Sequence, residues 1–166
     1  MGSLISWWAS RTRQFRTHLR ATVAPGERTE LAAWTTPAQS ELFDGMHVAD
    51  QRHGLDVVAS LRAHGVAEPD VLVAGLIHDA GKGDTGVWPR VVFTLGERYG
   101  RWIWGGASII PGFRSALRRL RDHAESSAVL AERAGCSART VELIRNQDAP
   151  TDPDFGDLLR LADEAN

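Results

Sequence analysis

The chain has 166 residues, 43% hydrophobic and 24% charged, with a formal net charge of −2. That length suits one domain with a substantial core, and the near-neutral balance gives no global attraction to nucleic acid or membrane. A lone cysteine, Cys136, excludes an internal disulfide, no apolar run approaches the roughly 18 residues of a membrane span, and the opening MGSLISWW lacks a secretory cleavage pattern, so a cytoplasmic setting is expected.

In chain order the expected elements are helical. Residues 4–23 form a basic amphipathic stretch, with Leu4, Trp8, Phe15 and Leu19 against Arg11, Arg13, Arg16 and Arg20. Pro25-Gly26 breaks it before a short helix over 27–34. Thr36-Pro37 reads as a cap followed by proline at the first helical position, opening a helix to about Phe43. Asp50 is placed to cap a helix running to His64, with Gly65 as its stop. Pro69 opens a nearly continuous apolar helix through Val71, Leu72, Val73, Leu76 and Ile77, which reads as a buried central element ending at Gly81.

Residues 84–112 are rich in Gly and Trp and suggest one helix near 90–100 and then a loop; Val91-Val92-Phe93-Thr94 is a short strand candidate. A long helix over Ser115–Ala134 closes at Gly135. Ser137 caps the next helix, to about Asn146. Pro150 and Pro153 make a linker before a last helix over 154–165. The expected fold class is all-α, with about seven or eight helices.

The chemistry-bearing residues are His53 within one helix, the adjacent pair His78-Asp79 at the end of the next, and Asp163 near the last residue. Imidazole nitrogens with carboxylate oxygens suit Mn, Fe, Co, Ni, Zn or Mg. Each residue singly has an ordinary explanation as a surface or hydrogen-bonded side chain. Their order carries more.

The order His…His-Asp…Asp on successive helices resembles the HD-domain superfamily of metal-dependent phosphohydrolases. Asp50-Gln51-Arg52-His53-Gly54-Leu55-Asp56-Val57-Val58 resembles its first-histidine helix, Leu76-Ile77-His78-Asp79-Ala80-Gly81-Lys82 its HD-x-G-K signature, and Leu158-Leu159-Arg160-Leu161-Ala162-Asp163 its closing helix. The resemblance covers residues 37–166 and is nearest to short stand-alone bacterial HD proteins. It implies an HD-domain helical bundle over 37–166, preceded by an N-terminal helical arm over 1–36 that packs on the core. By the same resemblance His53, His78, Asp79 and Asp163 would hold a divalent metal that activates water for attack on a nucleotide or other small phosphomonoester. The same fold also hosts iron oxygenases and non-catalytic metal- or ligand-binding modules, and these are the competing expectations.

Some HD proteins bind further metals through extra histidines. His123 falls where one such ligand would come, but Asn146-Gln147-Asp148 stands where the next histidine is expected, so one ion is favoured over two. Asp79 could still bridge to a second ion with His123, and Asp148 could contribute. Lys82, Asp84 and His123 are the candidate catalytic residues. Of 19 basic residues 18 are Arg, so the single lysine, Lys82, stands out as a compact cation suited to a phosphate oxygen or the metal-bound carboxylate. Asp84 reads equally as a base near the site or as a cap, and His123 as a pocket-lining residue with a possible role as general acid.

Trp88, Trp102 and Trp104 read as packing residues rather than as base-stacking ones. The basic stretch 1–23 reads first as a docking or dimerisation element, with homodimerisation possible, then as a membrane-surface contact, with nucleic acid last. Arg114–Arg121 reads as a solvated helix face or the rim of the pocket. The segment 148–166 holds six acids and one Arg and could pair with either basic run.

Overall fold

The computed structural model describes residues 21–166 except Asp84 and Arg101. The stretch 1–20 and Asp84 therefore lie outside the described residues. Ten α-helices and one 3-10 turn are found among the described residues: α1 Pro25–Ala32, α2 Pro37–Asp44, α3 Val48–Ala63, α4 Pro69–Ile77, the 3-10 turn Ala80–Lys82, α5 Val87–Tyr99, α6 Trp102–Ala107, α7 Phe113–Arg121, α8 His123–Arg133, α9 Ala138–Arg145 and α10 Gly156–Ala165. No strand occurs among these residues, and Val91–Thr94 is helical. None of these helices is long and apolar enough to cross a membrane.

Helix α4 is the hub. Every residue from Val71 to Ile77 is buried, and α2, α3, α9 and α10 pack around it. Phe43, Val57, Leu61, Val141, Ile144 and Leu159 close this core, to which Leu31 of α1 also belongs. Gly54 decides how closely α3 and α4 approach: a Cβ there would lie 2.3 Å from the Leu76 carbonyl oxygen. The backbones touch beside His53 on one helix and two residues before His78 on the other. Helix α8 comes equally close to the 3-10 turn, because a Cβ on Gly81 would lie 2.4 Å from the His123 oxygen and 2.6 Å from the Ser127 nitrogen. The Gly81 N–H instead donates to Ser127 Oγ at 2.8 Å.

Helices α5, α6 and α7 form a second layer, packed chiefly on one another. Trp104 stacks on Phe93 with centroids 5.1 Å apart, in space that Gly96 leaves open. Helix α7 buries Ala116, Leu117 and Leu120. No residue of α6 is buried.

Three sequence expectations need correction. Asp50 caps nothing: the cap of α3 is His47, whose Nδ1 accepts from the Ala49 N–H at 3.2 Å, while the Asp50 carboxylate is buried in an ion pair. The long helix expected over Ser115–Ala134 is two helices broken at Asp122. The break has a local cause: the His123 ring donates from Nδ1 to the Leu120 carbonyl at 2.7 Å, supplying a side-chain donor at the turn. Finally, the segment after residue 100 is not only loop but carries the short helix α6, which raises the count to ten.

Candidate metal centre

The site lies where α3, the end of α4 and α10 meet. His53 Nε2 is 2.7 Å from Asp163 Oδ1, and His78 Nε2 is 3.2 Å from the same oxygen. The ligand atoms of His53, His78 and Asp163 all lie within 4.8 Å of one another, so this cluster could hold a metal ion. The two rings meet edge-on, with centroids 5.2 Å apart and planes at 62°. His78 is oriented from behind: its Nδ1 donates to the Gly75 carbonyl at 3.0 Å, which directs Nε2 into the cluster.

Asp79 sits on the inner wall. Its Oδ1 lies 3.5 Å from His78 Nε2 and 3.7 Å from His123 Nε2, and its Oδ2 accepts from Lys82 Nζ at 2.5 Å. The adjacent residues His78 and Asp79 face one site because α4 ends at Ile77 and the chain tightens into the 3-10 turn. Exposure grades across the centre, from 3% and 2% for the side chains of His78 and Asp79 to 22% and 39% for His53 and Asp163. The open side is therefore the α3–α10 edge.

Charge follows this arrangement. Burial opposes charge on His78, but the Asp79 and Asp163 carboxylates outweigh it and push the imidazole up to about 9. Burial likewise opposes charge on Asp163, yet hydrogen bonds from His53 and His78 hold it well below the usual carboxylate range. Asp79 is held low by Lys82 and His78 against its own burial. Lys82 is raised despite burial by Asp79 and Asp50, so it stays an ammonium. His78, facing two carboxylates with Nε2, can balance them either as an imidazolium or as a neutral ligand to a cation.

His123 stands on the far side of Asp79. Burial and the Lys82 ammonium push it below its ordinary value. With Nδ1 committed to Leu120, its Nε2 accepts from Gln147 Nε2 at 3.0 Å. Gln147 thus stands beside His123 at the position where the resemblance to HD proteins leads one to expect a further histidine, while Asn146 turns away to Thr151 and Asp148 is exposed. Gln147 Oε1 is buried and has no hydrogen-bond partner among the described residues.

Sequence reading missed the clamp beside the site. Arg90 of α5 holds Asp50 of α3 through two bonds of 2.6 and 2.7 Å and donates from Nε to the Thr85 carbonyl at 2.9 Å. Thr85 Oγ1 in turn donates to the Lys82 carbonyl at 2.5 Å. Asp50 was detectable in principle, since it precedes His53 by three residues and shares its helix face. Nothing in the sequence marks Arg90 as its partner.

Of the tryptophans, Trp104 packs as expected, but Trp88 and Trp102 are 72% and 76% exposed. The acidic segment 148–166 makes no ion pair with the Arg114–Arg121 run among the described residues, and the arginines of the 1–23 run lie outside them; Arg139 engages Asp152 and Asp154, and Arg160 engages Asp157 and Glu164. Compared with protein-family models, curated proteins and solved structures, the chain matches none.

Proposed function

We propose that this chain is an HD-domain metal-dependent phosphohydrolase acting on a nucleotide or another small phosphomonoester. The observation that carries the reading is the convergence of two imidazole Nε2 atoms on one carboxylate oxygen, His53 and His78 on Asp163, with Asp79 beside them. Two nitrogens and two carboxylates fit a divalent transition ion or Mg, and the carbonyl behind His78 leaves Nε2 as its coordinating atom. An ion held there supplies Lewis acidity and lowers the pKa of coordinated water toward neutrality.

The chain's own residues would do the rest. Asp163 and His53 form the accessible edge, where a phosphate ester can approach. Lys82 fixes Asp79 and keeps an ammonium beside the site, available to a phosphoryl oxygen. His123, neutral and bound by Gln147, acts as a hydrogen-bond acceptor that shapes the inner wall. The Gln147 contact supports one tightly held ion, because an amide replaces an imidazole there and its donor already occupies His123 Nε2.

The test is metal analysis of the purified chain together with a phosphate-ester panel run with Mn, Co, Ni, Mg and Zn. About one metal per chain and metal-dependent phosphate release, both lost in Asp163→Ala and Asp79→Ala, are expected. Two irons per chain with an oxygen-dependent optical change would replace this reading with an oxygenase. Bound metal without turnover on any ester would replace it with a binding module.

A further inference from the structure

The layer formed by α5, α6 and α7 leaves several of its large apolar residues exposed. Trp88, Trp102, Ile109 and Ile110 are 72%, 76%, 85% and 51% exposed. Ile109 and Ile110 lie in the turn that joins α6 to α7, with backbone bonds back to Gly106 and Ala107 and one from the Phe113 N–H to the Ile110 carbonyl. Beside that turn is a cleft of about 250 Å³ lined by Trp104, Ser108, Arg114, Leu117, Arg118 and Arg121. The side chains of Arg114 and Arg118 are exposed and make no hydrogen bond or close ion pair among the described residues, although the Asp122 carboxylate feels the charge of Arg118. From Arg98 to Arg121 the sequence carries six arginines and no Asp or Glu.

We propose that this α6–α7 edge docks on an anionic phospholipid surface, with lipid phosphates taken by Arg114 and Arg118 and the Ile109-Ile110 turn and Trp102 set into the headgroup boundary. Bare guanidinium groups beside exposed aliphatic and indole side chains are the combination that interfacial binding uses: charge attracts the surface, and apolar side chains leave water. Asp152, Asp154, Asp157 and Glu164 are engaged by Arg139 and Arg160, which leaves these four acids less free to pair with this edge in a second copy. The chain's own residues 1–20 carry four arginines and no acid, so their sequence offers no counter-charge to Arg114 and Arg118. A free polyanion would satisfy the arginines but would leave Ile109 and Ile110 in water. The proposal is independent of the metal centre.

The experiment is flotation of the full chain with vesicles of phosphatidylcholine alone and of phosphatidylcholine mixed with phosphatidylglycerol, across a salt series. Binding only to the anionic vesicles, weakening with salt, is expected. Arg114→Glu/Arg118→Glu should weaken it by at least about tenfold. Ile109→Ser/Ile110→Ser should weaken it several-fold while leaving the salt dependence in place, which a purely electrostatic contact would not show. All four positions are exposed, so melting curves should match the wild type; if the charge reversal melts early, Arg118→Gln replaces it. Equal binding to both vesicle types, or wild-type binding by either double variant, overturns the proposal. So does competition by inorganic phosphate without vesicle flotation, or a vesicle-independent self-association abolished by the same variants.

Discussion

The two layers that flank the candidate metal centre are held by opposite physics. The layer of α3, α4, α9 and α10 is an apolar core in which seven consecutive residues of α4 are buried and backbones touch at Gly54. The layer of α5–α7 buries only a few side chains and is fastened to the core by the Arg90–Asp50 pair, the Thr85 bonds and the contact of α7 with the 3-10 turn. Hydrophobic burial is non-directional and positions the ligands by bulk, whereas the polar clamp positions Lys82 by geometry. A site built between two such layers can be rigid on its ligand side and adjustable on its cation side.

The clamp gives the largest expected effect. Arg90→Ala leaves the buried Asp50 carboxylate without its partner and should cost about 3–5 kcal/mol in denaturant unfolding. A loss below 1 kcal/mol would mean that α5 is held by other contacts. Next comes metal: saturation of the wild type at about 100 times Kd should add about 2.7 kcal/mol to stability. Asp163→Ala, on the ligand side, should abolish that gain, whereas Lys82→Gln should reduce it without removing it. Equal gains in wild type and Asp163→Ala would detach the ion from this centre.

Gly54→Ala tests the apolar layer and should cost about 1–3 kcal/mol by overpacking, because the new methyl meets a backbone carbonyl rather than a flexible side chain. Its metal affinity should fall as well, since the contact sets the spacing of His53 and His78. The last test concerns pH. His78 is raised to about 9 from an ordinary 6.5, so in chelator-treated protein its contribution is fully present below pH 6.5 and is lost as pH rises through about 9. Added metal should reverse the sign over the same window, because ion and proton compete for His78 Nε2. Melting curves with and without chelator would show whether the slopes oppose each other, and parallel slopes would refute the assignment.

Much of this was legible in the sequence because it rests on local rules. The Thr36 cap with Pro37 behind it, the apolar run of α4 and the Ser137 cap state their own structure. The order of His53, His78-Asp79 and Asp163 anticipated residues that the fold does bring together. What escaped depended on tertiary partners. The break at Asp122 needs the His123 ring on the Leu120 carbonyl, which no periodicity displays. The role of Asp50 was misread because a buried acid near a helix start looks like a cap until Arg90 arrives from another layer. The exposure of Trp88 and Trp102 could not be read from composition, since aromatic content alone does not say which rings find a neighbour.

The Gln147 contact also bears on how an anion would leave. Asp79 and Asp163 contribute two negative charges and Lys82 one positive, so with neutral histidines the centre carries −1. One divalent ion would bring it to +1; a second, bound through an imidazole at position 147, would bring it to +3. The amide keeps the lower count, a mild attraction for a phosphate dianion rather than a trap. If the proposed phosphohydrolase function holds, product departure from such a centre should be quick and little inhibited by accumulated phosphate, and Gln147→His should slow it.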